Sequence, residues 1–179
     1  MMDQCMLDLE TMGTNPSAAI ITIGAIVFDL ETGQLGRTFL QAVDLGNSML
    51  NGGIVDADTV EWWVKQSDDA KRVFFDEERR GIYDSLMSFF SFLTISTTCK
   101  DGDVKMWGNG SDFDNVILRN AYERCGIKPP WKFRNNRCYR TIKNLYPNTP
   151  FVCGGIAHNA LDDARNQAKH LIAMIGGNQ

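Results

Sequence analysis

Two apolar segments, residues 4–9 and 18–29, lie on either side of a dense run of loop-forming residues at 13–17. A short turn at Glu31-Thr32-Gly33 then leads into a third strand-like segment at 37–43. Sequential strands joined by short turns usually pair as an antiparallel meander. The first 43 residues therefore limit the chain to folds built on a sheet whose leading strands are antiparallel.

The remainder of the chain alternates helical patterns with one further strand. A fourth strand is expected at 104–107, where the glycine-containing segment 108–110 ends it. Since no internal repeat or linker interrupts the pattern, we expect one α/β layered domain over residues 1–179. Apolar spacing and start and stop signals predict helices at about 59–65, 77–93, 113–125, 139–145 and 160–175, and Asp68 could cap a further short helix after the first.

Composition and charge exclude several classes of function. A net charge of −4 and a pI of about 5.1 argue against a protein that holds nucleic acid by bulk charge. The five cysteines include no C-x-x-C pair, which argues against a disulfide framework or a zinc site and favours buried free thiols in a reducing compartment. No segment looks like a secretory signal or a membrane span. We therefore expect a cytoplasmic protein without membrane contact.

Two acidic residues, Asp8 and Glu10, stand at the end of the first predicted strand. Alternate side chains of an extended chain point to the same face, so the two carboxylates should project together. Adjacent like charges at the edge of a core are costly unless a cation lies between them, and oxygen ligands of this kind suit Mg²⁺ or Mn²⁺. The alternative is a strand that ends in solvent with two ordinary acids. The pair alone does not distinguish these interpretations.

A second acidic segment, Asn109-Gly110-Ser111-Asp112-Phe113-Asp114, crosses from the fourth predicted strand into a predicted helix. Asp114 would lie in the first turn, where an acid gains ~0.3–1 kcal/mol from the helix dipole. Asp112 could be the N-cap of the same helix. Either acid taken alone is therefore explained by capping.

A third segment places His158 five residues before Asp163 at the start of the last predicted helix. An imidazole is the natural general base for activating water near neutral pH. A loop histidine is nevertheless more often structural, and Asp162 or Asp163 could serve only the helix dipole. His170, in the middle of the helix, is interpreted as structural.

In combination and in this order, the three motifs resemble the DEDDh branch of the DEDD, RNase H-like 3′–5′ exonuclease superfamily. The motifs are Asp8-Leu9-Glu10-Thr11, the segment 109–114, and His158-Asn159-Ala160-Leu161-Asp162-Asp163. Within the branch, the chain is most similar to the RNase AS-like exoribonucleases, which prefer oligoadenylate tails, and to phage and prophage exodeoxyribonuclease VIII-like proteins. The residues that carry this closer resemblance are the segments 59–63, 107–110 and 113–119.

The resemblance implies an RNase H-like mixed sheet of about five strands flanked by helices. It also implies that Asp8, Glu10 and Asp163 hold one divalent cation, Mg²⁺ or Mn²⁺, and that Asp8 and Asp114 hold a second. His158 would deprotonate the attacking water. The implied reaction releases nucleoside 5′-monophosphates from the 3′ end of a single strand, with RNA slightly favoured over DNA.

The motifs leave alternatives open. Asp112 could replace Asp114, and Asp162 could replace Asp163, if the helix phase differed from that of the family. The family usually has a small residue where Asp112 stands, but Asp114 directly follows Phe113 as the motif requires.

Further residues are implicated in substrate binding by the resemblance and by their chemistry. Met12 and Gly13 occupy the loop where relatives touch the terminal nucleotide. Trp62 and Trp63 point about 100° apart on a helix, so one should be in the core while the other could stack on a base. Candidate phosphate contacts are Arg119, Arg134, Arg137 and Arg140.

Relatives of this kind are often dimers, and an edge strand could mediate a homodimer here. The alternative function is a catalytically silent RNase H-like module that binds nucleic acid or serves as a scaffold. A silent copy would have no reason to keep all four acids together with His158.

Overall fold

The computed structural model describes residues 1–99, 102–156 and 158–176, and a mixed sheet forms its centre. The order of strands across the sheet is β3-β2-β1-β4-β5. No helix in the described ranges combines the length and the apolar character that crossing a membrane requires. The strands are β1 (Gln4–Thr11), β2 (Ile20–Phe28), β3 (Leu35–Ala42), β4 (Lys105–Gly108) and β5 (Asn136–Cys138).

The first three strands form the antiparallel meander that the sequence predicts. β4 then pairs parallel to β1, and β5 pairs parallel to β4. Parallel neighbours require a crossover connection, and helices supply it between β3 and β4 and between β4 and β5. The mixed sheet flanked by helices confirms the expected α/β, RNase H-like fold.

Most helices lie close to their predicted positions, and two elements were not predicted. The helices are α1 (Leu45–Leu50), α2 (Ala57–Val64), α3 (Asp68–Lys71), α4 (Ile82–Ser96), α5 (Asp114–Arg124), α6 (Tyr139–Leu145) and α7 (Ala160–Ile175). The prediction that a helix begins at 77 is wrong, because a 3₁₀ turn at Arg72–Phe75 and a non-helical segment precede the N-cap Gly81. Neither α1 nor β5 was expected.

Helices cover both faces of the sheet. On one face, Leu7 and Leu9 of β1 pack with buried residues of α4 and α5. On the other face, Met6 of β1 packs with buried residues of α6 and α7. Asp8 and Glu10 alternate with the leucines and therefore share the face of Met6. The fold thus directs both carboxylates toward the side of the sheet on which α7 lies.

Gly24 allows α7 to lie directly on the sheet. It pairs with Asp8 across β1 and β2, and a Cβ atom at Gly24 would stand 2.2 Å from the carbonyl carbon of Ala160. Any side chain at Gly24 would therefore push the first turn of α7 outward. This close approach brings the N-terminal end of α7, with Asp163, to the end of β1.

The cysteines are free, as expected, but the expectation that they are buried holds only for Cys5. Cys99, Cys125 and Cys138 are half-buried, and Cys153 is exposed.

Candidate active site

Asp8 and Glu10 both line one large cavity at the end of β1, as their alternation predicts. Asp8 is half-buried and its Oδ1 accepts a hydrogen bond of 2.7 Å from Nε2 of Gln167 on α7. Glu10 is almost fully buried, and the pairing of β1 with β2 becomes irregular immediately after it. The strand therefore ends with two carboxylates held at the floor of the cavity.

Asp114 enters the same region from the first turn of α5 and is only 1% exposed. Its carboxylate accepts hydrogen bonds from the backbone N–H of Leu9, at 3.1 Å, and of Asn109, at 2.7 Å. It thus links β1 to the turn after β4. This double backbone anchor fixes the side chain beside Asp8.

His158 and Asp163 complete the group from the start of α7. The backbone N–H of His158 donates to Oδ2 of Asp163 at 3.0 Å, and the side chain of Asn159 caps the helix by accepting from the N–H of Asp162. His158 has a φ of 62°, a left-handed conformation that non-glycine residues seldom adopt. Its ring lies edge-to-face on Trp62, with 4.8 Å between ring centroids. Backbone and ring contacts together hold the imidazole at the cavity.

The geometry selects one acid from each doublet. Asp114 and Asp163 reach the group around Asp8, and Asp163 lines the cavity. Asp112 is exposed, and the prediction that it caps α5 is wrong, since the N-cap residue is Phe113. Asp162 instead accepts a hydrogen bond from the backbone N–H of Ile156 at 3.0 Å and so holds the loop before α7.

Without a cation, burial and mutual repulsion disfavour the ionised forms of these carboxylates. Burial, then the charges of Asp114, Glu10 and Asp163, raise the pKa of Asp8 well above its usual range. Burial also raises the pKa of Glu10 to about 9. Burial raises the pKa of Asp114 to about 6 against the opposing backbone donors, and it raises the pKa of Asp163 as well.

This donor set fits divalent cations. Glu10, His158 and Asp163 can each offer one ligand atom within 4.8 Å of the others, and Asp8 and Asp114 lie beside them. A cluster of carboxylate oxygens is the environment that Mg²⁺ and Mn²⁺ prefer. In addition, the buried Oε1 of Gln167 has no hydrogen-bond partner within the described residues, which leaves an acceptor free next to the cluster.

The cavity has a volume of about 1150 Å³, which suits a ligand larger than a single small molecule. One wall comes from the loop after β1 and from α2, and it includes Thr14, Asp56 and Trp62. A second wall comes from α6 and the following loop, and it includes Arg140 and Phe151. The acidic cluster lines the same cavity, so a polymer in it would contact the carboxylates.

Of the predicted substrate-binding residues, Gly13, Trp62 and Trp63 line the cavity. Trp63 is nevertheless 3% exposed and donates its indole N–H to the carbonyl of Thr11, so it is the core member of the tryptophan pair. Trp62, at 40% exposure, is the member that a ligand can reach. The side chain of Met12 is buried against Trp63 and does not line the cavity, so its contact with substrate stays a prediction from the sequence.

The four arginines predicted as phosphate contacts are separated by the fold. Arg140 lines the cavity. Arg119 instead pairs with Glu123 along the surface of α5, and Arg137 donates to backbone carbonyls of Arg134 and Asn136. Arg119, Arg134 and Arg137 do not line the cavity. For these three, phosphate binding stays a prediction from the sequence.

Sequence reasoning missed several residues that line the cavity. Gln167 follows Asp163 by four residues, so its place on the same helix face could have been inferred from helical spacing. Lys143 follows Arg140 by three residues and could have been found in the same way. Tyr139 and Phe151 carried no comparable signal, because their approach to the cavity depends on how α6 packs against α7.

Comparison with known proteins agrees with the described fold. Residues 3–175 match the family model of the 3′-5′ exoribonuclease Rv2179c-like domain. The exodeoxyribonuclease of Enterobacteria phage T4 is 27% identical over 157 residues, which cover 76% of this chain and 68% of that protein.

Two solved structures share the fold at low sequence identity. The nuclease domain of 3′hExo, a DEDDh family member bound to rAMP, is 17% identical with a TM-score of 0.63, over 96% of this chain and 90% of that chain. The Mg²⁺- and Mn²⁺-bound form of S. pombe Pop2p is 16% identical with a TM-score of 0.63, over 95% of this chain and 81% of that chain. Since both identities are low, these likenesses bear on the fold alone.

Proposed function

Because the chain belongs to the family of the 3′-5′ exoribonuclease Rv2179c-like domain, we propose that it is a metal-dependent 3′–5′ exonuclease that acts on single-stranded nucleic acid. The products are nucleoside 5′-monophosphates, and RNA is slightly favoured over DNA. The observation that carries the proposal is that Asp8, Glu10, Asp163 and His158 line one cavity while Asp114 lies buried beside Asp8.

Two divalent cations, Mg²⁺ or Mn²⁺, are part of the proposal. Asp8, Glu10 and Asp163 would hold one, and Asp8 with Asp114 would hold the other. Bound there, the cations supply the positive charge that stabilises the attacking and leaving oxygens of an in-line displacement at phosphorus. The four raised carboxylate pKa values support this assignment, since cations would let buried acids stay ionised.

The protein's own residues position the reactants. An imidazole nitrogen of His158 accepts a proton from the attacking water, and the contacts of His158 with Asp163 and Trp62 hold the ring in place. Gln167 fixes one oxygen of Asp8. The terminal nucleotide lies against Gly13 and Thr14 with its base on Trp62, whose ring is half-exposed at the cavity.

A single-strand digestion assay tests the activity and its direction. One oligonucleotide is labelled at its 3′ end and a second copy at its 5′ end, and both are incubated with Mn²⁺ or with EDTA. We expect the 3′ label to appear at once as a mononucleotide and the 5′ label to shorten gradually. EDTA should abolish both signals. Simultaneous release of the 5′ label as a mononucleotide would contradict the direction, and equal rates with EDTA would contradict the metal requirement.

The sugar preference is tested in the same assay with RNA and DNA of one sequence. We expect kcat/KM to be higher for RNA. A higher value for DNA would overturn this part of the proposal while leaving the exonuclease activity intact.

Neighbouring acids provide a matched test of the catalytic group. Asp114→Asn should abolish mononucleotide release, because Asp114 is buried beside Asp8. Asp112→Asn should retain activity, because Asp112 is exposed and is not among the charges that raise the pKa values of Asp8 and Glu10. Equal loss in both variants would contradict the assignment, provided that both unfold at the temperature of the wild type.

We also propose a homodimer that pairs through the outer strand β3. This strand is at one end of the sheet, and Leu40 on it is 50% exposed. Sedimentation velocity should give about twice the monomer mass of 20.1 kDa. A lysine in place of Leu40 should shift the protein toward monomer, since a charge on an edge strand opposes strand pairing.

A further inference from the structure

The second wall of the cavity carries two cations that the proposed chemistry does not use. Arg140 and Lys143 are three residues apart on α6, so they project from one side of that helix. Both are exposed, and neither forms a salt bridge with any residue in the ranges 1–99, 102–156 and 158–176. Among the described residues that line the cavity, they are the two lysine or arginine side chains.

An aromatic ring, that of Phe151, lines the cavity next to Lys143. Nζ of Lys143 stands 5.4 Å from the ring centroid of Phe151, and the ring is 43% exposed. Nη2 of Arg140 donates to the carbonyl of Asn109 at 2.6 Å, which holds the guanidinium next to the acidic cluster. A lysine side chain is flexible, so its ammonium can leave the ring for a phosphate while a base takes its place on the ring.

Buried hydrogen bonds hold this wall in place. Nε2 of His170 is 3.0 Å from the carbonyl of Thr149, which can only accept, so Nε2 carries the proton. Nδ1 of His170 is hydrogen-bonded to the hydroxyl of Tyr139 at 2.7 Å. The ring of Phe151 packs on His170 with 5.2 Å between centroids. Tyr139 and Phe151 both line the cavity, so His170 orders two of its lining residues from inside the fold.

The charges of the two walls differ in sign. The wall formed by α2 and the loop after β1 contributes Asp56 and Asp58 and contributes no lysine or arginine among its described residues. A terminal nucleoside with a free 3′-hydroxyl brings no phosphate to that wall. The rest of the strand carries one phosphate per nucleotide and would be repelled there. Among the described residues that line the cavity, Arg140 and Lys143 are therefore the ones that offer these phosphates a favourable charge.

We infer that Phe151, Lys143 and Arg140 form a binding site for the second nucleotide from the 3′ end, with the base stacked on Phe151 and its 5′-phosphate held by Lys143 and Arg140. This inference rests on the proposed exonuclease activity. His170 acts as a positioning residue for the site through Tyr139 and Thr149. The site would bind the strand on the 5′ side of the cleaved bond.

Dinucleotides isolate the phosphate contact. A dinucleotide with a 5′-phosphate and one without it share the same cleaved bond and differ only in the group that Lys143 and Arg140 would bind. For the wild type, we expect kcat/KM to be about tenfold higher with the 5′-phosphate, the size of one charge-assisted contact. In Lys143→Gln the ratio of the two kcat/KM values should fall toward one.

Lys128→Gln is the matched control. Lys128 is exposed and follows α5 at the end remote from Asp114, and it does not line the cavity. It should keep the full effect of the 5′-phosphate. If Lys143→Gln also keeps that effect, or if it slows both dinucleotides equally, the phosphate site is contradicted.

The stacking contact is tested with trinucleotides that have either a base or an abasic sugar at the second position. The wild type should prefer the base by about tenfold, since stacking on an aromatic side chain is worth ~1–3 kcal/mol. Phe151→Leu, which keeps an apolar side chain on His170, should remove that preference. An unchanged preference would overturn the stacking role.

Different results would contradict the exonuclease activity and the second-nucleotide site. If no oligonucleotide is shortened in the presence of Mn²⁺, the exonuclease activity itself is wrong. If long strands are shortened but a 5′-phosphate gives no advantage on a dinucleotide, the activity stands and the second-nucleotide site is wrong.

Discussion

Each acid of the cluster is held by a different kind of contact. Asp114 accepts two backbone hydrogen bonds, Asp163 accepts the backbone N–H of His158, and Asp8 accepts the side-chain amide of Gln167. These donors partly offset the cost of burying charge. The pKa values of the three acids nevertheless stay raised, so the hydrogen bonds of the protein do not fully stabilise the ionised carboxylates. The remaining cost is what a cation would relieve.

Gln167→Ala should weaken metal binding without removing a ligand. The amide fixes one oxygen of Asp8 at 2.7 Å, and loss of such an outer contact typically costs ~10–100-fold in metal affinity. The Mn²⁺ concentration for half-maximal activity should therefore rise about tenfold, while the rate at saturating Mn²⁺ changes less. Metal titration of the exonuclease rate measures both quantities.

Gln34→Ala is the control for that titration, because Gln34 is exposed in the turn between β2 and β3. Its metal dependence should match that of the wild type. A Gln167→Ala protein with unaltered metal dependence would show that Asp8 needs no positioning by α7.

Among individual residues, the site could be predicted where acidic residues fall at the regular spacing of a strand. Asp8 and Glu10 could be predicted to share a face because strand alternation is strict. Asp114 and Asp163 could not be separated from Asp112 and Asp162 by pattern alone, since a one-residue change of helix phase exchanges them. The packing of Met12 on Trp63 could not be predicted, because an apolar side chain in a loop can face either solvent or the core.

At the scale of elements, α2 contributes the two tryptophans in different roles. Trp63→Ala should lower the free energy of unfolding by ~3–5 kcal/mol, because it removes a buried ring that packs on Phe74 and bonds to Thr11. Trp62→Ala should leave the melting temperature nearly unchanged and raise KM about tenfold, through the loss of a base-stacking surface. Denaturant unfolding and steady-state kinetics on both variants check the assignment. A KM effect confined to Trp63→Ala would reverse it.

The spacing between α7 and the sheet sets the geometry of the cluster. In Gly24→Ala, the new methyl group would meet backbone atoms of Ala160 and Leu161, which cannot move separately from α7. We expect a loss of ~1–3 kcal/mol of stability, as for other overpacked sites, together with a large fall in kcat as Asp163 moves away from Glu10.

Gly46→Ala in α1 is the comparison, since a methyl group at this position would have its nearest neighbour 3.4 Å away, on the side chain of Asp44. This variant should remain active and stable. Activity retained in Gly24→Ala would mean that the start of α7 can shift without cost to the cluster.

The elements that the sequence predicted are those with long, regular patterns. α6 and α7 match their predicted limits because proline and glycine follow α6 and α7 respectively. β5 has three residues and α1 has six, too few for a periodic pattern to stand out. β5 exists because it pairs with β4, and that is a property of the folded sheet.

At the scale of the whole molecule, the net charge of −4 describes the binding surface poorly. The cavity gathers a cluster of acids on its floor and two cations on one wall. The net charge therefore argues only against binding of nucleic acid through a broadly positive surface. The local distribution of charge, which depends on the fold, is what bears on the orientation of a strand.

In the metal-free protein, the same acids make the free energy of unfolding depend on pH. The folded state raises the pKa of Glu10 from 4.5 to about 9 and of Asp114 from 3.8 to about 6. At a pH between its unfolded and folded pKa values, each of these carboxyl groups is protonated in the folded protein and ionised in the unfolded chain. The free energy of unfolding should therefore fall as pH rises through that range. Urea unfolding in EDTA should therefore show decreasing stability from pH 5 to pH 8.

Saturating Mg²⁺ should flatten or reverse that decrease, because bound cations favour the ionised carboxylates and bind only the folded state. Glu10→Gln should also flatten it in EDTA, since the amide does not titrate. Glu61→Gln, on the surface of α2, should leave the slope unchanged. If the metal-free wild type showed equal stability at pH 5 and pH 8, the cluster would not be desolvated in solution, and the electrostatic reason for cations at this site would no longer hold.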